Sequence, residues 1–527
     1  MKSRLDRWRG DIATLIVAVV VLLSPDAMTA AMADVQPAND ALLSGTEVRL
    51  AWNGEIEAAV YQVQLTRDDG TADPFLDAFL NEETTAEQLV VKEGLEFGNP
   101  YLWRVRAIVD GIPEEWAFTS GFGIRSIPFG FLLQVETFSD GQSLQPGLTI
   151  FNHCESIVGF DLEGELVLLL DTPTRVSDCR VIDGGNFMYV GGGRAWILDL
   201  EGDVVWASPD SDDLKVHHSA SMMPSGNVLL VVREYRDIDQ DGVVRNWQGD
   251  RIVEMDPTTN EIVWEWSTFE NFTTQDYDVY QTNYWNDWTH INDAHYVEAD
   301  NSIYLSVRHL SRITRIDYDT RQIIYNMGMD MQSGDVDFGD DLFSYQHSPQ
   351  LLPNGNMILF DNGNRRGGEP VVGQNGTTYA LEMAFTGSPP TNAEIVWSWE
   401  VPTYCPSTGD ANRLENGNTL VTATQLSGIY EVSEDGQIAW QLSILANEAC
   451  PGLRPGYRAT RVSGLFLEEV EVPCPGDLDG DGQVAVDDIL ALLSQWGGQG
   501  EADLDGNGEV EVNDVLIMLQ VWGPCSS

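Results

Sequence analysis

Lys and Arg are scarce in this sequence. They total 28 residues against 83 Asp and Glu, which gives a formal net charge of −55. A chain this acidic is repelled by phosphate backbones and by anionic lipid, so neither nucleic acid nor a membrane surface is expected as a partner. An anionic substrate would be repelled by the chain as a whole and must be held by local positive charge.

One common nucleotide-binding motif is also absent. No G-x-x-x-x-G-K-[ST] loop occurs, so a nucleotide cofactor lacks its usual phosphate cradle.

The N-terminal apolar run, Ile12 to Leu23, is shorter than the roughly 20 residues that span a bilayer. Basic residues precede it at 2–9 and Ala31-Met32-Ala33 follows, which is typical of a cleaved signal peptide over residues 1–33. We expect an exported protein (periplasmic, cell-surface or secreted) with no membrane span after cleavage; a retained anchor is the alternative.

Cysteine is uncommon, and the six residues present can form three disulfides in an exported protein. The strongest expected pair is Cys474–Cys525, because these residues flank the C-terminal module. Proximity in sequence favours two further pairs, Cys154–Cys179 and Cys405–Cys450.

A short all-β module is predicted over residues 36–126. The stretches 47–52, 61–65 and 101–107 alternate apolar and polar residues, and Gly, Pro and Asp separate them, as in a β-sandwich. The inward-facing set comprises Val48, Leu50, Trp52, Tyr61, Val63, Leu65, Trp103, Val105 and Ala107. The region around Tyr101 resembles the tyrosine corner of a fibronectin type III module.

Residues 130–470 repeat one unit, a strand, a short turn and a second strand that often ends in Trp. Six copies occur, at 158–167, 196–206, 252–264, 313–325, 380–397 and 429–440. A second turn alternates with them, at 184–186, 225–227, 300–302, 354–356 and 416–418. Such repeated tight turns are the signature of four-stranded propeller blades. The predicted fold is therefore all-β: a six-bladed β-propeller preceded by the small sandwich and followed by a small α-helical calcium-binding module.

The C-terminal segment, 474–525, contains a duplicated acidic loop. The first copy reads Asp477-x-Asp479-x-Asp481-Gly482 with Asp488 at the twelfth position, and the second reads Asp503-x-Asp505-x-Asn507-Gly508 with Asp514 there. Oxygen ligands at positions 1, 3, 5 and 12, with Gly at position 6, suit calcium. An apolar helix is predicted after each loop. The segment resembles a type I dockerin, which implies structural calcium and a cohesin-like protein partner.

Histidine is also rare, with seven residues, and three of them lie in stretches that look like parts of one site. These are His218, His290 and His347, and Arg308 follows His290 by 18 residues. His218 and His347 each precede the glycine of their turn by eight residues, so they are expected at equivalent positions in two blades, at one end of a central channel. Histidine suits nucleophilic and acid–base chemistry, and Arg binds oxyanions.

These motifs resemble the PAPS-independent aryl sulfotransferases. Asp-Trp-Thr-His-Ile-Asn at 287–292, Ser-Val-Arg-His at 306–309, Phe-Ser-Tyr-Gln-His at 343–347 and Phe-Asp-Asn-Gly-Asn at 360–364 follow that family's central blades in order. The resemblance covers roughly residues 130–460. It implies an enzyme that needs no nucleotide cofactor and transfers a sulfuryl group from an aryl sulfate donor to a phenolic acceptor.

The resemblance also implies residue roles. His347 matches the family nucleophile, which attacks sulfur to give a sulfohistidine, and His290, Arg308 and His218 match the residues that hold the sulfuryl oxygens. Attack on a sulfate ester moves negative charge onto these oxygens and the leaving phenolate, so preorganised cations are where the rate gain should arise.

Two other functions remain open. The propeller could be a non-catalytic binding module displayed through the dockerin-like tail, or a hydrolase in which water discharges His347. Each site histidine also has a structural alternative, and Arg308 could simply pair with a carboxylate. His217 is ambiguous, because adjacent strand residues face opposite sides. The remaining histidines are expected to be structural: His153, His295 and His309.

Overall fold

The computed structural model divides the chain into two units, Met1–Ile127 and Pro128–Ser527. The described residues are 35–52, 60–128, 133–139, 141, 143–182, 185–240, 242–366, 376–423, 428–447, 456–466, 476–478, 483–498, 500, 502, 504, 510–520 and 523–524. Most regular structure in them is β-strand, which confirms the all-β class. The predicted signal peptide lies outside these residues. Among them, no helix has the length and apolar character needed to cross a membrane.

The first unit contains strands β1 Ala41–Leu43, β2 Val48–Ala51, β3 Val60–Arg67, β4 Leu80–Thr84, β5 Gln88–Val91, β6 Pro100–Val109, β7 Ile112–Pro113 and β8 Phe118–Ile124, with a short 3-10 helix at Pro74–Asp77. The larger sheet has the order β1-β8-β6-β3-β4, β7 pairs with β6, and β2 pairs with β5. The β1–β8 pair is parallel and the others are antiparallel.

All nine residues predicted to face inward are buried, and eight of them, all but Ala107, belong to one hydrophobic core. The period-two pattern therefore identified the inner face correctly. The hydroxyl of Tyr101 accepts the backbone N–H of Glu96 at 2.8 Å, which is the upstream backbone contact of a tyrosine corner.

The strands of the second unit outside its C-terminal segment are β9 Leu133–Ser139, β10 Leu148–His153, β11 Ser156–Phe160, β12 Leu166–Asp171, β13 Asp178–Val181, β14 Phe187–Gly191, β15 Arg194–Leu198, β16 Val204–Ala207, β17 Val216–Met222, β18 Val228–Gln240, β19 Val243–Met255, β20 Ile262–Ser267, β21 Ile291–Val297, β22 Ser302–Val307, β23 Arg312–Asp317, β24 Ile323–Gly328, β25 His347–Leu351, β26 Met357–Asp361, β27 Tyr379–Thr386, β28 Asn392–Glu400, β29 Asp410–Arg413, β30 Thr419–Ala423, β31 Gly428–Val432, β32 Ile438–Asn447 and β33 Ala459–Val462. A one-turn helix, Thr268–Asn271, and short 3-10 helices at Tyr284–Asp287 and Glu298–Asp300 interrupt them.

In the part of the chain that the structure describes, these strands form six sheets, which we call A to F. Sheet A has the order β12-β11-β10-β33, and sheet F has the order β29-β30-β31-β32-β9. Sheets B, C, D and E are runs of four consecutive strands, beginning at β13, β17, β21 and β25. Each of the six repeat copies found in the sequence coincides with one hairpin of one sheet. It is the outermost hairpin in sheets A to E, whereas in sheet F strand β9 pairs outside it. The arrangement is propeller-like.

A buried ion-pair cluster joins three of these sheets. Arg458 donates to Asp178 of sheet B at 3.1 Å, to Asp293 of sheet D at 3.3 Å and to Asp410 of sheet F at 3.0 Å. Burial alone would raise the pKa of Asp293, but Arg180 and Arg458 lower it well below its usual value. The cluster therefore ties together the first strands of three alternate sheets.

Two predicted disulfides are wrong. Cys179 and Cys405 are both buried thiols that form no disulfide, whereas Cys154 is disulfide-bonded. Cys179 packs in the core cluster that contains strands of sheets A and B, and Cys405 packs in the one shared by sheets E and F. Their side chains serve as small apolar groups, which free cysteines commonly do. The expected Cys474–Cys525 pair lies outside the described residues.

The C-terminal segment contains two helices, Val486–Ser494 and Val512–Gln520, and the two-residue strands β34 Gln483–Val484 and β35 Gly523–Pro524, which pair. Asp488 and Asp514 lie at the third positions of these helices. Each carboxylate accepts the backbone N–H groups of the residues ten and three positions before it, at 2.7 Å. The two halves thus repeat one local geometry. Five predicted calcium ligands lie outside the described residues: Asp479, Asp481, Asp503, Asp505 and Asn507.

Replacing Arg458 with Met should destabilise the second unit, because it leaves three buried carboxylates without their shared cation. Breaking a buried ion pair from one side typically costs about 3–5 kcal/mol, so we expect a clear fall in melting temperature by circular dichroism. Arg67→Ala, which breaks the exposed Arg67–Glu96 pair, is the control and should change little. Equal melting temperatures for R458M and the wild type would contradict this role.

Candidate active site

The four site residues predicted from the sequence lie at one end of neighbouring sheets. His218 lies in β17, His290 directly precedes β21, Arg308 directly follows β22 and His347 begins β25. The ring centroids of His218 and His290 are 4.4 Å apart, and the Arg308 backbone N–H donates to the His290 carbonyl at 3.3 Å. Sheets C, D and E therefore contribute to one cluster.

The backbone is irregular where these histidines occur. His218 has a φ of 57° and His290 a φ of 49°, in the left-handed region that non-glycine residues rarely adopt. The first strands of sheets C, D and E all lose their regular register here. Bulges of this kind re-aim side chains and are common beside active sites. The rule that adjacent strand residues face opposite sides of a sheet, which made His217 ambiguous, therefore fails at this point.

Asn362 holds His347 in one tautomer. Its Nδ2 donates to the carbonyls of Cys405 and Thr408 at 2.7 and 2.9 Å, which leaves its Oδ1 to face the ring. His347 Nδ1 lies 2.6 Å from that Oδ1. Because an amide oxygen only accepts hydrogen bonds, Nδ1 carries the proton and Nε2 carries the lone pair. Burial, with a smaller effect from Arg308, lowers the pKa of His347 to about 3, so the ring stays neutral.

Arg308 supplies fixed positive charge to the cluster. One terminal nitrogen donates to His309 Nε2 at 2.8 Å and the other to the carbonyl of Pro406 at 3.0 Å. The ring centroid of Tyr345 lies 4.4 Å from the guanidinium carbon. Within the described residues, the buried Nε–H of Arg308 has no partner. A guanidinium held in this way, with a donor to spare, suits an anionic oxygen.

His309, expected to be structural, belongs to the cluster. Arg308 cannot accept a hydrogen bond, so His309 Nε2 accepts from it and His309 Nδ1 carries the proton. Nδ1 donates to the carbonyl of Asp287 at 2.6 Å. Burial and the charge of Arg308 lower the pKa of His309 to about 3. His309 is therefore a neutral group that orients Arg308, and its place beside Arg308 in the sequence was the available signal.

Asp287 and His290 form a second pair at the edge of the cluster. Asp287 Oδ2 lies 2.5 Å from His290 Nδ1. Burial, followed by the charge of Asp250, raises the pKa of Asp287 to about 6, and burial lowers the pKa of His290 well below its usual value. Among the described residues, these two and His309 could surround a metal ion. Both nitrogens of His309 are already engaged by Arg308 and by the Asp287 carbonyl, so a hydrogen-bonded network describes the group better.

His217 contacts His218 directly. Their Nδ1 atoms are 2.7 Å apart, because the left-handed backbone at His218 turns the two adjacent side chains toward each other. The other nitrogen of His217 lies 2.9 Å from Asp250 Oδ1 in β19. The neighbour that the sequence left ambiguous is thus bonded to a site residue.

Tyr457 is a site residue that the sequence did not reveal. Its ring centroid lies 5.8 Å from that of His347 and 6.2 Å from that of His218, and its side chain is buried. It directly precedes Arg458, so the ion-pair cluster helps to fix its position. Tyr457 lies outside every repeat copy, and no periodic pattern marks it.

A cavity of about 580 Å³ adjoins the cluster. Tyr277, Tyr280 and Tyr345 form aromatic walls, and His309 lines the side next to Arg308. The histidines of sheets C and E do not line it. Its volume and aromatic walls are those of a site for a small organic molecule.

Comparison with known proteins identifies one family. Residues 134–443 match the family model described as Arylsulfotransferase (ASST). The match covers more than half of the chain and includes all four predicted site residues. No curated protein matches the sequence significantly.

Solved structures resemble the chain only distantly. A protein of unknown function from Bacteroides caccae is 11% identical, with a TM-score of 0.38, and the alignment covers 59% of this chain and 100% of that one. A streptogramin B lyase is 13% identical, with a TM-score of 0.34 and coverage of 60% and 88%. The β-propeller domain of Cps50 (Swd1) from Myceliophteria thermophila is 12% identical, with a TM-score of 0.32 and coverage of 60% and 89%. Similarity at this level carries no argument about activity.

The contact with Asn362 predicts a measurable property of His347. In protein labelled with 15N-histidine, NMR should show a neutral His347 protonated at Nδ1 one pH unit below the ordinary histidine pKa of about 6.5. His347→Gln assigns the signal. Asn362→Asp should raise the pKa of His347, because a carboxylate favours the imidazolium, whereas Asn362→Leu should release the tautomer. An Nε2-protonated or charged His347 in the wild type would contradict the geometry.

Proposed function

The chain belongs to the arylsulfotransferase family, and we propose that it transfers a sulfuryl group from an aryl sulfate to a phenolic acceptor through a sulfohistidine at His347. Family membership supports aryl sulfotransferase activity in general. The observation that carries the finer proposal is the His347–Asn362 contact, because it leaves the Nε2 lone pair free on a neutral ring.

The reaction proceeds in two displacements. His347 Nε2 attacks sulfur, the bond from sulfur to the phenolic oxygen breaks, and that oxygen leaves with the bonding electron pair and takes up a proton. The oxygen of the acceptor phenol then attacks the same sulfur and gives up its proton, the nitrogen–sulfur bond breaks, and His347 recovers its lone pair. No nucleotide takes part, and two phenols exchange one sulfuryl group.

The surrounding residues suit the charge that develops on the sulfuryl oxygens. Arg308 is oriented by His309 and Pro406 and offers its unpartnered Nε–H. His290 is assigned to the same oxygens, in line with the family resemblance. Fixed donors in a buried site stabilise transition-state charge strongly, and removing one such donor typically costs about 100- to 1,000-fold in rate.

For the architecture, we propose that sheets A to F are the six blades of a β-propeller. Strand β33 completes sheet A and β9 completes sheet F, so strands from both ends of the repeat close the ring. The first unit is assigned as a fibronectin type III-like sandwich, on the Tyr101 contact and the sheet order. Residues 1–33 are proposed to direct export.

The C-terminal segment is proposed to bind two calcium ions and to dock a cohesin-like protein. Supporting this, the carboxylates of Asp488 and Asp514 each accept two backbone N–H groups, in the same pattern in both halves. The remaining donors, which begin with Asp477, are all oxygen ligands, as calcium requires. Asp477, Asp488 and Asp514 are the proposed ligands that lie among the described residues.

Covalent catalysis gives a direct test. Mixing the protein with 4-nitrophenyl sulfate and no acceptor should release about one phenolate per chain in a burst and add one sulfuryl mass to the protein. His347→Gln should abolish both signals. His295→Gln is the matched control, because His295 stacks on Tyr304 and pairs with Asp293 instead of the four proposed site residues, and it should retain them.

The other outcomes of this experiment distinguish the two alternative functions, a hydrolase and a binding module. Continuous release of phenolate without an acceptor would indicate a hydrolase, in which water discharges the intermediate. A folded wild type that shows neither burst nor adduct with several aryl sulfates would indicate a binding module.

Calcium binding is tested by calorimetry on the full chain. We expect uptake of two calcium ions, and loss of that uptake when Asp477→Ala and Asp503→Ala are combined, because position 1 of each loop is removed. Asp237→Ala, near the end of β18, is the control and should leave the uptake unchanged. Uptake that the double substitution does not reduce would contradict the assignment.

A further inference from the structure

A path of buried hydrogen bonds ends at His218. Asp250 in β19 is 1% exposed, and its Oδ1 lies 2.9 Å from His217 Nε2. His217 Nδ1 lies 2.7 Å from His218 Nδ1. The three side chains therefore connect a buried carboxylate to the histidine cluster.

The partners of Asp250 fix the protons along this path. Its Oδ2 accepts the hydroxyl of Thr289 at 2.6 Å and the backbone N–H of Ile291 at 2.7 Å. A carboxylate only accepts hydrogen bonds, so His217 Nε2, which faces Asp250 Oδ1, carries a proton. A second proton is shared between the Nδ1 atoms of His217 and His218, because two lone pairs at that distance would repel each other.

The shared proton has two positions. When His217 holds it, His217 is an imidazolium beside the ionised Asp250, and His218 carries its own proton at Nε2. When His218 holds it, both rings are neutral, and His218 Nε2 has a lone pair. Among the described residues, His218 Nε2 has no hydrogen-bond partner, and the ring lies 4.4 Å from that of His290. The two states differ by one proton at the atom of His218 that remains available to the cluster.

We propose that Asp250, His217 and His218 form a proton relay for the phenolic oxygens of sulfuryl transfer, an assignment that rests on the proposed function. As the bond from sulfur to the donor oxygen breaks, His218 Nε2 gives its proton to the leaving oxygen, and the shared proton moves from His217 to His218. As the acceptor oxygen attacks sulfur, His218 Nε2 takes the phenol proton, and the shared proton returns to His217. Each half-reaction moves one proton, and the cycle restores the starting state.

A relay overcomes a difficulty that burial creates, because burial disfavours an extra proton on His218. Burial, followed by the charges of His217 and His347, lowers the pKa of His218 well below its usual value. His218 alone is therefore a poor store for an extra proton. An extra proton on His217 lies next to the Asp250 carboxylate, whose Oδ1 is 2.9 Å from His217 Nε2, so His217 is placed to hold it. The proton stays one ring away from the reacting atoms until the phenolic oxygen needs it.

The dependence of the burst rate on the leaving group tests the relay. Proton donation helps weakly acidic phenols most, since their phenolates are the poorest leaving groups, and general acids typically contribute about 100- to 10,000-fold. Asp250→Asn keeps the shape of the side chain but cannot balance an imidazolium. Its burst rate should fall at least about tenfold more with phenyl sulfate than with 4-nitrophenyl sulfate. His217→Gln should steepen the dependence in the same direction.

Thr289→Val is the matched control. It removes one buried hydrogen bond to the same carboxylate without interrupting the path from Asp250 to His218. A merely structural effect should lower the burst rate by the same factor for every donor, and we expect that parallel behaviour for T289V. Melting curves establish that each variant is folded, and H217Q decides the question if D250N does not fold.

The experiment distinguishes failure of the relay from failure of the proposed function. Burst rates of D250N and H217Q that run parallel to the wild type across the donor series would overturn the relay, while the burst and the sulfohistidine would stand. Absence of a burst in the wild type with every donor would overturn the proposed function, and the relay with it.

Discussion

The second unit depends on the buried ion pairs that the guanidinium of Arg458 forms. It reaches buried carboxylates in sheets B, D and F at 3.0 to 3.3 Å, and buried charges are tolerated only when they are paired. The residue before it, Tyr457, lies against His347 and His218, and the strand after it, β33, completes sheet A. One buried cation therefore fixes the sheets and positions a wall of the histidine cluster at the same time.

The histidine cluster reconciles an acidic chain with an anionic substrate. A formal charge of −55 repels sulfate esters, yet the cluster contains the fixed cation Arg308. Burial keeps His347 and His309 neutral, so one offers a lone pair and the other orients Arg308. Arg308 thus supplies fixed positive charge beside neutral histidines.

The sequence predicted periodic features well and local geometry poorly. Alternation placed the nine inward residues of the first unit, and the repeats located one hairpin in each of the six sheets. The sequence did not identify His217 or Tyr457 as site residues. A bulge with a left-handed residue reverses the facing of His217, and Tyr457 belongs to no repeat. The two wrong disulfide predictions, Cys154–Cys179 and Cys405–Cys450, also reflect local geometry. Closeness in sequence does not determine which of two packed sheets a side chain faces.

The closing strands also have a consequence for folding. Sheet A joins Leu148 to Val462 and sheet F joins Ser139 to Trp440, so both pairings connect opposite ends of the repeat region. Closing so long a loop costs chain entropy before any contact repays it, and such non-local pairing is slow. During synthesis from the N-terminus, neither sheet can be completed until the last repeat has emerged. Completion of both sheets is consequently a late event in the making of the protein, and until then their partner strands present unpaired edges.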